Sequence, residues 1–131
     1  MKRLFESGEW SVTGEVRGKK DFPAIISVRG RPSDFGSGHV MLAIADGVVT
    51  YSGRCYDERK RAFRLGMHVE YQTEDGTLYT YGNVARLDAK VGDRVRVGMP
   101  ICKAGWERDA VVEVRRNGRR IDVRRVLEEE E

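Results

Sequence analysis

From residue 40 onward, apolar and polar side chains alternate in short runs, the period of strands rather than helices. Val48-Val49-Thr50-Tyr51 follows the turn pair Asp46-Gly47, and Met67 to Tyr71 alternates in the same way. Glu74-Asp75-Gly76 then turns the chain into Thr77-Leu78-Tyr79-Thr80-Tyr81, which predicts a hairpin. Val91-Gly92-Asp93 turns into Arg94-Val95-Arg96-Val97, and Gly98-Met99-Pro100 turns again. Ala110 to Arg115 and Ile121-Asp122-Val123 flank Asn117-Gly118, the strongest short hairpin signal. Short strands punctuated by glycine predict an all-β sandwich or barrel.

One segment departs from this pattern. Asp57 to Leu65 is the single helix candidate, but it is short and charged enough to suit a loop equally well. Weaker apolar patches at Trp10-Ser11-Val12 and Pro23-Ala24-Ile25-Ile26 suggest an arm or an added strand pair. Leu127 and the four glutamates after it read as a frayed acidic tail.

Composition narrows the class. At 131 residues, with 40% hydrophobic and 34% charged side chains, the chain suits one globular domain with a modest core. No apolar run reaches the ~20 residues of a membrane span, and no signal peptide follows the basic start. A cytoplasmic protein and a piece trimmed from an envelope protein both fit that observation. The net charge is only +3, with signs interleaved. The late arginines 115, 116, 119, 120, 124 and 125 read as a solvated face, which makes nucleic acid an unfavoured partner. Cys55 and Cys102 have no CxxC spacing, and Cys102 suits a buried strand position.

Three segments, in order, resemble the lysostaphin-type (LytM) zinc endopeptidases. Ala43-Ile44-Ala45-Asp46-Gly47-Val48-Val49-Thr50-Tyr51-Ser52-Gly53 is similar to the family run A-x-A-D-G-x-V-x-x-x-G. Tyr81-Gly82-Asn83-Val84, leading to Val91-Gly92-Asp93 and Gly98-Met99-Pro100-Ile101, is similar to Y-A-H-L followed by V-G-D-x-V-x-x-G-Q-x-I. Glu113-Val114-Arg115-Arg116-Asn117-Gly118 with Ile121-Asp122 is similar to the closing E-V-R-x-N-G-x-x-V-D. The resemblance implies an antiparallel β sandwich of the duplicated hybrid motif type over residues 28–127. Residues 1–27 would form the arm or added strands, and 128–131 the tail.

The same resemblance implies a zinc ion on two histidines and one aspartate, which lower the pKa of a bound water. Carried over by position, the H-x-G-x-D motif falls on Val28-Arg29-Gly30-Arg31-Pro32. The H-x-H pair falls on Asp109 and Val111, and the histidine of Y-A-H-L on Asn83. Valine and proline have no lone pair for a metal. The family positions are therefore degenerate at Val28, Pro32, Asn83, Asp109 and Val111, and zinc is expected to be absent. Between Gly105 and Asp109 only Trp106, Glu107 and Arg108 intervene, where the family has a longer groove-wall loop. His39 and His68 stand in no HxH, HxxxH or HExxH spacing.

The expectation is a pseudoenzyme of the metalloendopeptidase class. Its role would be binding a protein or a peptidoglycan fragment in cell-wall machinery, through a remnant groove of His39, Tyr81, Asn83 and Asp109. Exposed sheet edges leave room for a homo-oligomer. The alternative is a zinc endopeptidase whose site is rearranged around His39, Asp34, His68 or Asp109.

Overall fold

The computed structural model describes residues 2–17, 23–30, 39–54, 66–105 and 109–129. The expected helix at 57–65, Pro32, Asp34, Cys55 and the loop 106–108 lie outside the described residues.

Two antiparallel sheets form the body. The large one has the order β1 (Trp10–Arg17), β2 (Pro23–Gly30), β10 (Ala110–Arg116), β6 (Leu78–Gly82), β5 (Met67–Gln72), β4 (Gly47–Arg54) and β8 (Arg94–Val95). Strand β11 (Arg119–Arg120) pairs with β10. The small sheet has the order β3 (His39–Leu42), β9 (Pro100–Ala104) and β7 (Val84–Leu87). Alternation along the strands drives Ile26, Val28, Tyr71, Tyr81, Val112 and Val114 of the large sheet into one core with Met41, Ile101 and Cys102 of the small one. Cys102 is free and wholly buried, and burial pushes its thiol well above the ordinary value.

The turn chemistry acts as the pattern predicts. Asn117 and Gly118 both take left-handed φ, 55° and 74°, and close the β10–β11 hairpin. The returning strand is shorter than expected, and Ile121-Asp122-Val123 does not continue it. Asp122 instead accepts the Arg125 N–H at 3.1 Å and caps α1 (Val123–Glu128). This helix corrects the tail as well, since Val123 and Leu127 are fully buried in the core.

The N-terminal residues are built into the fold. Leu4 and Phe5 are wholly buried, Phe5 bridges to Met41, and the Lys2 N–H donates to the Leu127 carbonyl at 2.8 Å. The boundary expected at residues 27/28 falls inside β2. No helix among the described residues is long and apolar enough to cross a membrane.

Candidate functional site

Strand β10 organises the candidate site. Its register sets Ala110 opposite Val28 and Val111 opposite Ser27. Ala110 and Val28 face the main core, whereas Val111 packs with Ile25 in a separate small cluster on the other face. Two of the positions expected to correspond to metal ligands, Val28 and Val111, therefore point to opposite sides of the sheet. The residue of β2 that reaches Asp109 is Arg29, the neighbour of Val28.

Asp109 is held from three sides. Arg29 Nε donates to its Oδ1 at 2.7 Å, and Thr13 Oγ1 donates to its Oδ2 at 2.6 Å. Asn83 Nδ2 donates to its main-chain oxygen at 2.9 Å. Thr13 reaches this position because the β1–β2 register shifts between Val12 and Gly14, a bulge that re-aims one side chain. The hydrogen bond from Thr13 does most to hold the Asp109 carboxyl below the usual carboxylate range, with Arg29 and the charge of His39 acting in the same direction against burial.

Asn83 lies where the chain leaves β6 of the large sheet for β7 of the small one. Its φ of 56° is left-handed, which asparagine tolerates better than most side chains. His39 opens β3, is 5% exposed, and meets the Phe5 ring edge-on at 6.4 Å. His68 is buried, stacks on Tyr51 at 4.5 Å, and brings Nδ1 to 3.1 Å from the Gly66 carbonyl.

Tyr81 is not a surface residue. It is wholly buried, and its hydroxyl donates to the Leu42 carbonyl at 2.9 Å. Strand alternation puts Tyr79 and Tyr81 on the core side, so the structure joins Asn83 to Asp109 by a hydrogen bond but buries Tyr81 in the core.

Sequence reasoning missed a second polar group further along β10. Glu113 is 2% exposed and lies 3.1 Å from Arg115 Nε and 3.5 Å from Arg120 Nε. Arg115 also reaches Glu70 Oε1 at 2.5 Å. The expected solvated arginine face holds for Arg116, Arg119, Arg124 and Arg125, which are exposed, and is corrected at Arg115 and Arg120, which are half-buried. Arg115 and Arg120 pair with carboxylates of the sheet, Arg116 donates to Thr77 Oγ1 at 3.0 Å, and Arg124 and Arg125 belong to α1. The signal for this group was the charged alternation Glu113-Val114-Arg115, legible only once Glu70 is known to lie two strands away across β6.

The described residues do not fit a catalytic zinc. Among them, no group of three or more His, Cys, Asp or Glu is gathered to hold a metal ion. Both Asp109 carboxylate oxygens already accept hydrogen bonds, one from a guanidinium, which a cation would have to displace.

The sandwich and its closing β10 hairpin define the class. The chain belongs to peptidase family M23, whose family model matches residues 32–123. No curated protein sequence matches it. Among solved structures, it is similar to a point mutant of the catalytic domain of the prophage-encoded M23 protein EnpA from Enterococcus faecalis. That similarity has 25% identity and a TM-score of 0.63, covering 86% of this chain and 88% of that one. The SpoIIQ–SpoIIIAH pore forming complex is similar at 17% identity and a TM-score of 0.71, covering 94% and 87%. The catalytic domain of the antimicrobial peptidase lysostaphin from Staphylococcus simulans is similar at 16% identity and a TM-score of 0.63, covering 92% of each chain.

Proposed function

We propose that this chain is a non-catalytic M23 domain that binds a protein or a peptidoglycan fragment as a scaffold module of bacterial cell-wall or envelope machinery. The observation that carries the reading is the state of Asp109. Its carboxylate is committed to Arg29 and Thr13, and Val111, two residues on, is a packed apolar side chain. A hydrolytic zinc needs three fixed donors and an open position for water. Here the nearest carboxylate faces a guanidinium instead. The likeness to a chain of the SpoIIQ–SpoIIIAH complex supports a protein partner.

The alternative, a zinc endopeptidase with a rearranged site, draws on one feature: His39 is among the groups whose electrostatic influence lowers the Asp109 carboxyl pKa. The test is metal analysis of untagged protein after zinc loading, together with release of soluble fragments from purified peptidoglycan. The expected result is no stoichiometric zinc and no release above buffer. Bound zinc that is lost in His39→Ala, with hydrolysis of cross-bridges, would establish the alternative.

A further inference from the structure

Among the described residues, the Arg29 side chain makes one hydrogen bond, through Nε, to Asp109 Oδ1. Arginine is more useful than that contact requires, because its planar fork carries further N–H donors on the two terminal nitrogens. Among the described residues those nitrogens meet no hydrogen-bond partner, and the side chain is 52% exposed. The head group is nevertheless not free to wander. Asp109 grips it at Nε, and Asp109 is itself fixed by Thr13 on one side and by Asn83 at its main chain. Such anchoring spends the conformational entropy of a long side chain before any ligand arrives.

We infer that Arg29, oriented by Asp109, Thr13 and Asn83, is a binding site for a carboxylate, such as the free C-terminus of a peptide. A carboxylate matches the two terminal nitrogens with two parallel N–H···O bonds, the geometry in which guanidinium recognition is strongest. A neutral amide offers one acceptor oxygen and a repelling N–H, so the site discriminates acid from amide. Asp109 serves as the positioning residue, because its oxygens touch Arg29 and Thr13 and engage the guanidinium at Nε. The inference deepens the proposed binding role and rests on it for a biological ligand, though not for the chemistry of the site.

The test titrates the full chain with N-acetyl-dialanine as the free acid and as its C-terminal amide, by heteronuclear NMR with the arginine Nε–Hε signals observed. The acid is expected to shift the Arg29 signal and bind at least ~10-fold more tightly than the amide. Arg29→Gln should abolish that preference, while Arg29→Lys keeps the charge and should retain only part of it. Thr13→Val should weaken acid binding without touching the ligand. Thermal melting of each variant separates loss of binding from loss of fold. Equal affinity for acid and amide, unchanged preference in Arg29→Gln, or no binding of either overturns the inference. Release of peptidoglycan fragments by the wild-type chain would overturn the non-catalytic reading instead, and leaves the acid–amide preference intact.

Discussion

The hydroxyls of Tyr71 and Tyr81 meet at 2.8 Å inside the core, and together they bridge the two sheets. The Ile44 N–H donates to Tyr71 Oη at 3.0 Å, and Tyr81 donates to the Leu42 carbonyl at 2.9 Å. Tyr81 has spent its one proton, so Tyr71 must donate to Tyr81. The relay runs from Ile44 through both phenols to Leu42, and it ties β5 and β6 to the segment that leaves β3.

Removing either hydroxyl leaves buried polar groups without partners. Tyr71→Phe orphans the Ile44 N–H, and Tyr81→Phe orphans the Leu42 carbonyl. Each should cost ~1–3 kcal/mol in urea denaturation, with the fold retained. Because the two share one relay, the double variant should fall short of the summed losses by about 1 kcal/mol. Simple additivity would mean that the hydroxyls act separately.

The same burial makes the fold sensitive to alkali. Burial raises the Tyr71 and Tyr81 phenols above the ordinary 10.0, and the Cys102 thiol above its ordinary 9.0. Below those ordinary values both folded and unfolded chains keep the protons, and stability does not depend on these groups. As pH rises past them the unfolded chain releases protons first, so the folded state binds more and stability falls. Urea midpoints should therefore decline steadily between about pH 9 and 10.5, and Cys102→Ala should delay the onset. A flat profile through that window would contradict the assignment.

The local half of the fold was legible in the sequence. Asn117-Gly118 makes its hairpin because two left-handed residues are a requirement of that turn, wherever it stands. Asp46 of the Ala45-Asp46-Gly47 run accepts the Val97 N–H at 2.8 Å, and Asp93 of Val91-Gly92-Asp93 accepts the Lys90 N–H at 2.8 Å. These motif residues stitch turns. The contacts that make the site were not legible for the opposite reason. Arg29 and Asp109 meet only through the β2–β10 register, and Thr13 joins them only through a bulge that no residue type announces. Tyr81 was misplaced because its strand was recognised without deciding which of its two faces met the core. The α1 helix was hidden in a stretch of β-prone Ile121 and Val123, where the Asp122 cap and burial of Leu127 outweigh propensity.

Gly47 offers a test of the turn-stitching role. A Cβ built there would lie 2.4 Å from the Gln72 carbonyl oxygen and 2.9 Å from its carbon, both main-chain atoms of the neighbouring strand. Backbone cannot swing aside as a side-chain tip does. Gly47→Ala should therefore destabilise by at least ~2 kcal/mol and displace the β4–β5 register. A melting temperature equal to that of the parent chain would show that the strands separate easily.

The Asp109 grip has an acid signature. Its carboxyl is held below the usual range by Thr13 foremost and then Arg29, so the folded chain binds fewer protons there than the unfolded chain. The resulting stability is present above the ordinary carboxylate range and is lost as pH falls through the lowered folded value. Asp109→Asn should flatten that part of the acid limb, and Thr13→Val should move the carboxyl resonance midpoint upward. NMR titration of the carboxyl carbon reads both effects. An Asp109 midpoint unchanged by Thr13→Val would remove Thr13 from the site.

Restoring one histidine should not restore a metal centre. Val111→His places an imidazole two residues from Asp109 on the same face of β10, where the family resemblance implies a ligand. Three features oppose coordination there. Arg29 already neutralises Asp109, Val28 faces the main core on the other side of the sheet, and Val111 packs against Ile25. The imidazole enters that apolar contact without a partner, so the variant should lose about 1–3 kcal/mol and bind no stoichiometric zinc after loading and dialysis. Adding Arg29→Ala frees the Asp109 carboxylate, and only then should weak zinc binding emerge, as two donors fall short of the three that a catalytic site uses. Tight zinc binding by Val111→His alone would mean that the Arg29–Asp109 pair yields readily, and that the site needs one imidazole rather than a rebuilt face.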